Sequence, residues 1–321
     1  MYFSNILFAA IPVFLTVGIG YCTRIFSVVD DESEKSIMRL IVNVLYPCFI
    51  LSQVPGNAAL QQIDVVVAAI AAGFFLTVVG LILAKSIGHS MKIDPEGVNT
   101  FCVSTAIQNY GFIPIPLIYA LFQDGATETL GVLFVHNLGL ELAMWTIAIV
   151  LLSGTMQNAW RRLINGPTIA IVVGLLLNFS GLYKLIPDFA IKTIADLGLC
   201  SIPMGLILAG ATLAGVVQRE KWKLNPKVIV GSLSVRFLIM PAIILVVAGL
   251  MTFSPELRNV LIVEAAMPAA IFPIVLAKHF GGKPAIAVEV CVATTLASIV
   301  MMPLILGLAM QWFEITLGQA S

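Results

Sequence analysis

Two stretches hold the residues best suited to chemistry, and both lie inside apolar sequence. The first is Gln108-Asn109-Tyr110-Gly111-Phe112-Ile113-Pro114-Ile115-Pro116. The second is Glu264-Ala265-Ala266-Met267-Pro268-Ala269-Ala270-Ile271-Phe272-Pro273. Proline removes a backbone donor and clashes with the carbonyl four residues back, so paired prolines break a helix. In lipid the freed backbone groups need partners, so a broken helix is retained inside protein or beside a wet cavity. Pro116 and Pro273 are predicted as the first residues of second half-helices. Each such N-terminus carries roughly half a positive charge. Two of them converging suit a carboxylate without any fixed cation. Gln108, Asn109 and Tyr110 add side-chain hydrogen bonds at the same depth, and Gly111, Pro114, Pro268 and Ile271 complete the expected substrate-binding set.

Ionisable residues within apolar runs cost at least about 2.5–3.5 kcal/mol at mid-bilayer, so each asks for a reason. Glu264 lies one helical turn before Pro268 and is the expected proton-coupling group. A carboxylate beside a backbone break serves sodium equally, so either ion fits. Arg236 is expected to hold the substrate carboxylate or to neutralise a glutamate. Glu141 and His136, which share a helix with Asn137, are further ion-coupling candidates, although their spacing is not that of one helix face. Glu289 and Arg39 complete the set, with interface-reaching side chains as the plainer reading.

No cofactor or metal is expected. Cys22, Cys48, Cys102, Cys200 and Cys291 sit in apolar stretches with no C-x-x-C pair, so they read as small buried hydrophobes. There is no Ser/His or paired-aspartate constellation and no nucleotide-binding G-x-x-x-x-G-K-[ST], which argues against an enzyme and against an ATP-driven pump. Net charge is zero and no basic tract is present, so nucleic acid is an unsuitable partner.

The elements that must position these residues are membrane helices. The chain of 321 residues is 60% hydrophobic and 11% charged, with a mean hydropathy of +1.03. A water-facing surface needs about 25% charged residues, so lipid is the solvent. Runs of roughly 20 apolar residues predict spans at 4–23, 36–54, 64–86, 98–122, 128–152, 167–181, 194–216, 227–251, 257–279 and 285–312. The start of the chain reads as the first helix rather than as a signal peptide. The sixth span is short, and Leu185–Asp196 after it is expected along the interface. Odd-numbered loops hold Arg24, Lys35, Lys85, Lys92, Arg161, Arg162, Arg219, Lys221, Lys223, Lys227, Lys278 and Lys283. Even-numbered loops hold only Lys184, Lys192 and Arg258. The positive-inside rule therefore predicts a multi-pass protein of the cell (inner or plasma) membrane with both termini extracytoplasmic.

The two halves, 1–154 and 155–321, read as a repeat. Pro12 pairs with Pro167, Pro47 with Pro203 and Pro116 with Pro273 at nearly constant offset. Five helices per half is an odd number, so the second half is inserted upside down. Inverted repeats of this kind place a transporter's binding site where their discontinuous helices meet.

The motifs resemble those of the auxin efflux carrier family, which includes plant PIN-type carriers and bacterial malate/malonate permease-like proteins. Ala265 to Lys278, with Pro268 and Pro273, resembles that family's ninth-helix crossover. Asn109 followed by Pro116 resembles its fourth-helix motif, and Asn43-Val44-Leu45-Tyr46-Pro47 is also similar. The resemblance implies an all-α fold of ten transmembrane helices with broken helices 4 and 9 crossing. It further implies a rocking or elevator-type domain carrying helices 3–5 and 8–10, and small organic anions as substrates. Two departures stand out: Ser153–Gly166 is short where plant carriers often have a long loop, and Pro114 replaces a glycine common in the motif. The expected function is a secondary active transporter of a small organic anion, proton-coupled or sodium-coupled. A non-transporting membrane sensor on the same fold is the alternative. Lipid surrounds it, and a homodimer would suit its rigid half.

Overall fold

The computed structural model describes residues 2–155, 163–219 and 224–315. Arg161, Arg162, Lys221 and Lys223, which enter the orientation argument, lie outside the described residues. The described residues form helices joined by short connections, with an isolated β-bridge between Gln108 and Ala269.

The helices are α1 (Tyr2–Ile25), α2 (Asp31–Leu40), α3 (Tyr46–Gln53), α4 (Ile63–Ser90), α5 (Val98–Ala106), α6 (Pro114–Phe122), α7 (Ala126–Ala143) and α8 (Ile149–Ser153). They continue as α9 (Gly166–Ser180), α10 (Asp188–Arg219), α11 (Pro226–Ser234), α12 (Met240–Leu250), α13 (Pro255–Ala265), α14 (Phe272–His279) and α15 (Pro284–Trp312). Wide π-helical turns at Ile41–Leu45, Met144–Ala148 and Val235–Ile239 splice α2 to α3, α7 to α8 and α11 to α12 into continuous rods. Two of these turns precede a proline at the second helical position, Pro47 and Pro241. The missing amide and the bulky ring are accommodated by widening the preceding turn.

Among the described residues seven segments are long and apolar enough to cross a membrane, one of them Pro114–Ser153, which runs through α6, α7 and α8, and α9 is a shorter apolar helix. Two interrupted pairs stand out, α5 with α6 and α13 with α14. Most of segment Leu185–Asp196 forms the first turns of the 32-residue α10. Nothing between Asp188 and Pro203 interrupts its ladder, and Pro203 itself is carried inside the helix.

Capping sets the helix ends. Asp30, Asn165, Asn225 and Ser254 each accept a hydrogen bond from a first-turn amide, namely Ser33, Thr168, Lys227 and Leu257. Gly154 and Gly181 stop α8 and α9 in the left-handed conformation, at φ of 72° and 70°. The amide of Ser33 and its side chain hold the Asp30 carboxyl below the ordinary value of 3.8. A depressed folded-state value means that the cap is complete above that range and is lost as pH falls through the lowered one. Acidification below about pH 4 is therefore expected to fray α2 first. Hydrogen exchange at Ser33 and Glu34 would report it, and Asp30→Asn should remove the pH dependence.

Packing is densest within two groups, which meet where α1 lies against α15 and where α3 meets α7. α1 lies along α10, α10 against α3, and α3 against α9. Separately, α4 lies along α7 and α5, α12 and α7 flank α13, and α15 meets α11 and α5. Reciprocal glycine contacts let one pair in each group approach backbone to backbone. Gly20 faces Ile207 and Gly210 faces Val17 between α1 and α10, while Gly73 faces His136 and Gly139 faces Ile70 between α4 and α7. At the intracellularly predicted end of the first group, Asp31 pairs with Arg24 and Arg219, and Thr212 donates to Glu34 at 2.9 Å.

Candidate functional site

The two interrupted pairs meet through their linkers. The Asn109 amide donates to the Pro268 carbonyl at 2.7 Å, and the Ala270 amide to the Ile107 carbonyl at 2.9 Å. These bonds satisfy backbone groups that proline and the helix ends leave without partners, as a dry interior requires. Three side chains from surrounding helices fix the rest. Asn137 Nδ2 on α7 donates to the Tyr110 carbonyl at 2.8 Å. Thr294 Oγ1 on α15 accepts from the Ala269 amide at 3.1 Å. Arg236 reaches from the π-helical turn before α12 to the Met267 carbonyl at 2.8 Å and to Gln108 Oε1 at 3.5 Å.

The half-helices begin differently from expectation. α6 starts at Pro114, so Pro116 is its third residue, and α14 starts at Phe272, with Pro273 second. First-turn amides have no intrahelical acceptor, so proline is tolerated at several of these positions and does not mark the first alone. Two prolines in the first three residues of α6 leave Ile115 as the amide donor there. Any anion at this end is therefore met mainly by the aligned peptide dipoles and by linker groups rather than by a row of free N–H groups.

Gln108, Glu264 and Arg236 are brought together and are buried, the last with no exposed surface. The Glu264 carboxyl lies next to the Gln108 amide and within electrostatic reach of Arg236. Neither of its oxygens completes a well-aligned hydrogen bond. Asn109, Tyr110, Gly111 and Ile271 are half-buried. No atom lies within 4 Å of where a Gly111 side chain would point, so the first linker borders open space. Phe112 is pressed onto Gly205 of α10, and its ring meets Tyr46 edge-on at 5.3 Å. This contact joins the linker to the other packing group.

The other two expected ion-coupling residues lie on α7. Glu141 Oε2 accepts from Asn165 Nδ2 and Thr168 Oγ1, both at 3.3 Å, at the N-terminus of α9. His136 is buried with Nδ1 3.4 Å from Asn137 Oδ1. Arg39 is exposed on α2, and Glu289 takes the Asn225 amide at the start of α11. Asn137 and Thr294 hold the linkers but were not singled out as site residues by the sequence reading. Their polar character within apolar helices is the signal, and it does not say which carbonyl or amide they meet.

Long apolar rods around a polar, backbone-lined interruption define a multi-span membrane transport protein. A family model described as membrane transport protein matches residues 5–159 and 154–306, and the chain belongs to that family, the auxin efflux carrier family. An uncharacterized transporter of Methanocaldococcus jannaschii is 23% identical over 82% of this chain and 86% of its own length. An uncharacterized transporter of Methanothermobacter thermautotrophicus is 24% identical over 92% of this chain and 95% of its own. Auxin efflux carrier component 3 of Arabidopsis thaliana is 33% identical over 40% of this chain and 20% of its own length.

Proposed function

We propose that the protein is a secondary active transporter that moves a small organic anion by alternating access. In this reading Pro114–Ser153 divides at Gln123–Gly125, so that α5 with α6 is one span and α7 with α8 another; with α13 with α14, α9 and the six other long segments these make ten. The two halves are inverted repeats, with both termini extracytoplasmic. The observation that carries it is the pairing of two helix interruptions around Asn109 and Pro268 beside a buried carboxylate. Asn137 and Thr294, which lie at matching positions of the two halves, each hold their own half's linker, as an inverted repeat would require. Asn109 supplies a hydrogen bond to the anion, and the two half-helix dipoles supply the positive potential. Glu264 couples binding to an ion. The group containing α4 and α7 moves against the group containing α1 and α10, and Phe112 on Gly205 is one contact that must give way.

The test is a thermal-shift screen of the purified protein with malate, malonate and indole acetate, at two pH values, with and without sodium. A ligand at 100 times its dissociation constant adds about 2.7 kcal/mol of stability. The expected result is a shift with at least one carboxylate that disappears in Asn109→Ala. No shift with any carboxylate, while other solutes do stabilise, would overturn the anion reading and favour a different cargo or a sensor.

A further inference from the structure

One face of α4 changes character along its length. At steps of three and four residues it carries Val67, Ala71 and Phe74, then Val78 and Ile82, and then Lys85 and His89. Residues so spaced lie above one another on a single stripe of a helix, and all of these are exposed or half-buried. Beside the first three, an open cavity of about 290 Å³ is lined by Val67, Ile70, Ala71, Phe74, Phe75 and, from α7, Leu142. Its walls are apolar. From Phe74 to Lys85 the helix rises about 16 Å, half of a hydrocarbon core about 30 Å thick.

The other end of the stripe is charged, and with one sign. The Lys92 amide donates to the His89 carbonyl at 3.0 Å, and Lys92 itself turns the chain at a φ of 53°. Lys227 of α11 brings its Nζ to 3.5 Å from the Lys92 carbonyl. His89 Nδ1 lies 2.7 Å from the Lys85 carbonyl, which leaves the lysines as the outward-facing donors. The acidic residues nearby are taken. Asp94 and Glu96 both pair with Lys283, the second at 3.0 Å, and Glu289 is buried against the Asn225 amide. Among the described residues no carboxylate pairs with Lys85, Lys92 or Lys227.

Unpaired cations above an exposed apolar stripe that leads to a cavity match a molecule with an anionic head and a long chain. We propose that this face of α4 seats one anionic phospholipid. Its phosphate lies between Lys85 and Lys92, with Lys227 adding to the positive field, and one acyl chain runs down the stripe to the cavity beside Leu142. Basic residues at the membrane surface favour anionic lipids, whereas a zwitterionic lipid brings its own cation to the same place and gains less. The site is separate from the linkers and does not rest on the transport reading.

The test compares phosphatidylglycerol with phosphatidylcholine of the same acyl chains, added to the purified protein in detergent. Phosphatidylglycerol is expected to raise the melting temperature more, and native mass spectrometry should show one retained copy per chain. Lys85→Gln and Lys92→Gln should each weaken its binding about fivefold, the equivalent of about 1 kcal/mol per basic residue at the surface. Lys192→Gln, an exposed lysine in the first turns of α10, should leave binding unchanged. Ala71→Phe, which fills the cavity from the lipid-facing side, should lose the retained copy. Glycerol phosphate, the head without chains, should give no shift. Equal shifts from the two lipids, binding indifferent to Lys85 and Lys92, a shift from glycerol phosphate as large as that from the lipid, or full retention in Ala71→Phe would each overturn the inference.

Discussion

Arg236→Met is expected to lower the stability of the protein by about 2–6 kcal/mol, because it leaves two buried acceptors, the Met267 carbonyl and Gln108 Oε1, without their charged donor. Methionine approximates the aliphatic stem, so the loss comes from the guanidinium rather than from a cavity. Three groups lose what it provides: the Met267 carbonyl, Gln108 Oε1 and the Glu264 carboxylate. Glu264→Gln should cost less, because Arg236 keeps both of its acceptors. The double variant should be more stable than Arg236→Met alone, since no uncompensated charge is then buried. Melting temperatures of the four proteins in detergent form a complete cycle. A fall on the order of 10 °C for Arg236→Met, partly restored in the double variant, is the expected pattern. An Arg236→Met protein that melts with the unsubstituted one would show that the two charges do not depend on each other.

The parts of this arrangement that sequence made legible are those governed by local chemistry. Paired prolines in apolar sequence mark the two interruptions, and helix lengths follow from the need to cross lipid. The predicted run 64–86 corresponds to Ile63–Ser90, for example, and 285–312 to Pro284–Trp312. Glycines within the predicted run 194–216 allow close approach in the structure: Gly210 meets the Val17 backbone, Gly205 the Phe112 ring and Gly215 the Arg24 guanidinium.

What stayed hidden depends on partners far away in the chain. For Arg236 the hidden partners are the Met267 carbonyl and Gln108, both distant in sequence. For Glu141 the hidden partners are Asn165 and Thr168, more than twenty residues on, which donate to its carboxyl. The start of α6 escapes local rules for a different reason. Pro114 and Pro116 both satisfy the stereochemistry of a first turn, and local rules do not rank them. The relation between linkers is the clearest case, since one antiparallel bridge joins residues 108 and 269.

Gly139→Val is expected to destabilise the protein at the upper end of the about 1–3 kcal/mol typical of overpacking. A side chain there runs into the Ile70 carbonyl and the Phe74 amide of α4, which are backbone atoms and cannot rotate away. α4 and α7 would have to separate, and the reciprocal seat of Gly73 on His136 would open with them. The consequence reaches the site because Asn137, two residues before Gly139, holds the Tyr110 carbonyl at 2.8 Å. Displacing α7 lengthens that bond and frees the linker that carries Asn109. Gly139→Val should therefore lower the melting temperature and also reduce the carboxylate-induced shift. Gly18→Ala is the control: no atom lies within 4 Å of its new side chain, and alanine is the better helix former by about 1 kcal/mol. It should melt at or above the unsubstituted protein and keep the full shift. If Gly139→Val lowers the melting temperature but leaves the shift intact, the linker is held independently of the α4–α7 contact, and Asn137 is not the residue that transmits it.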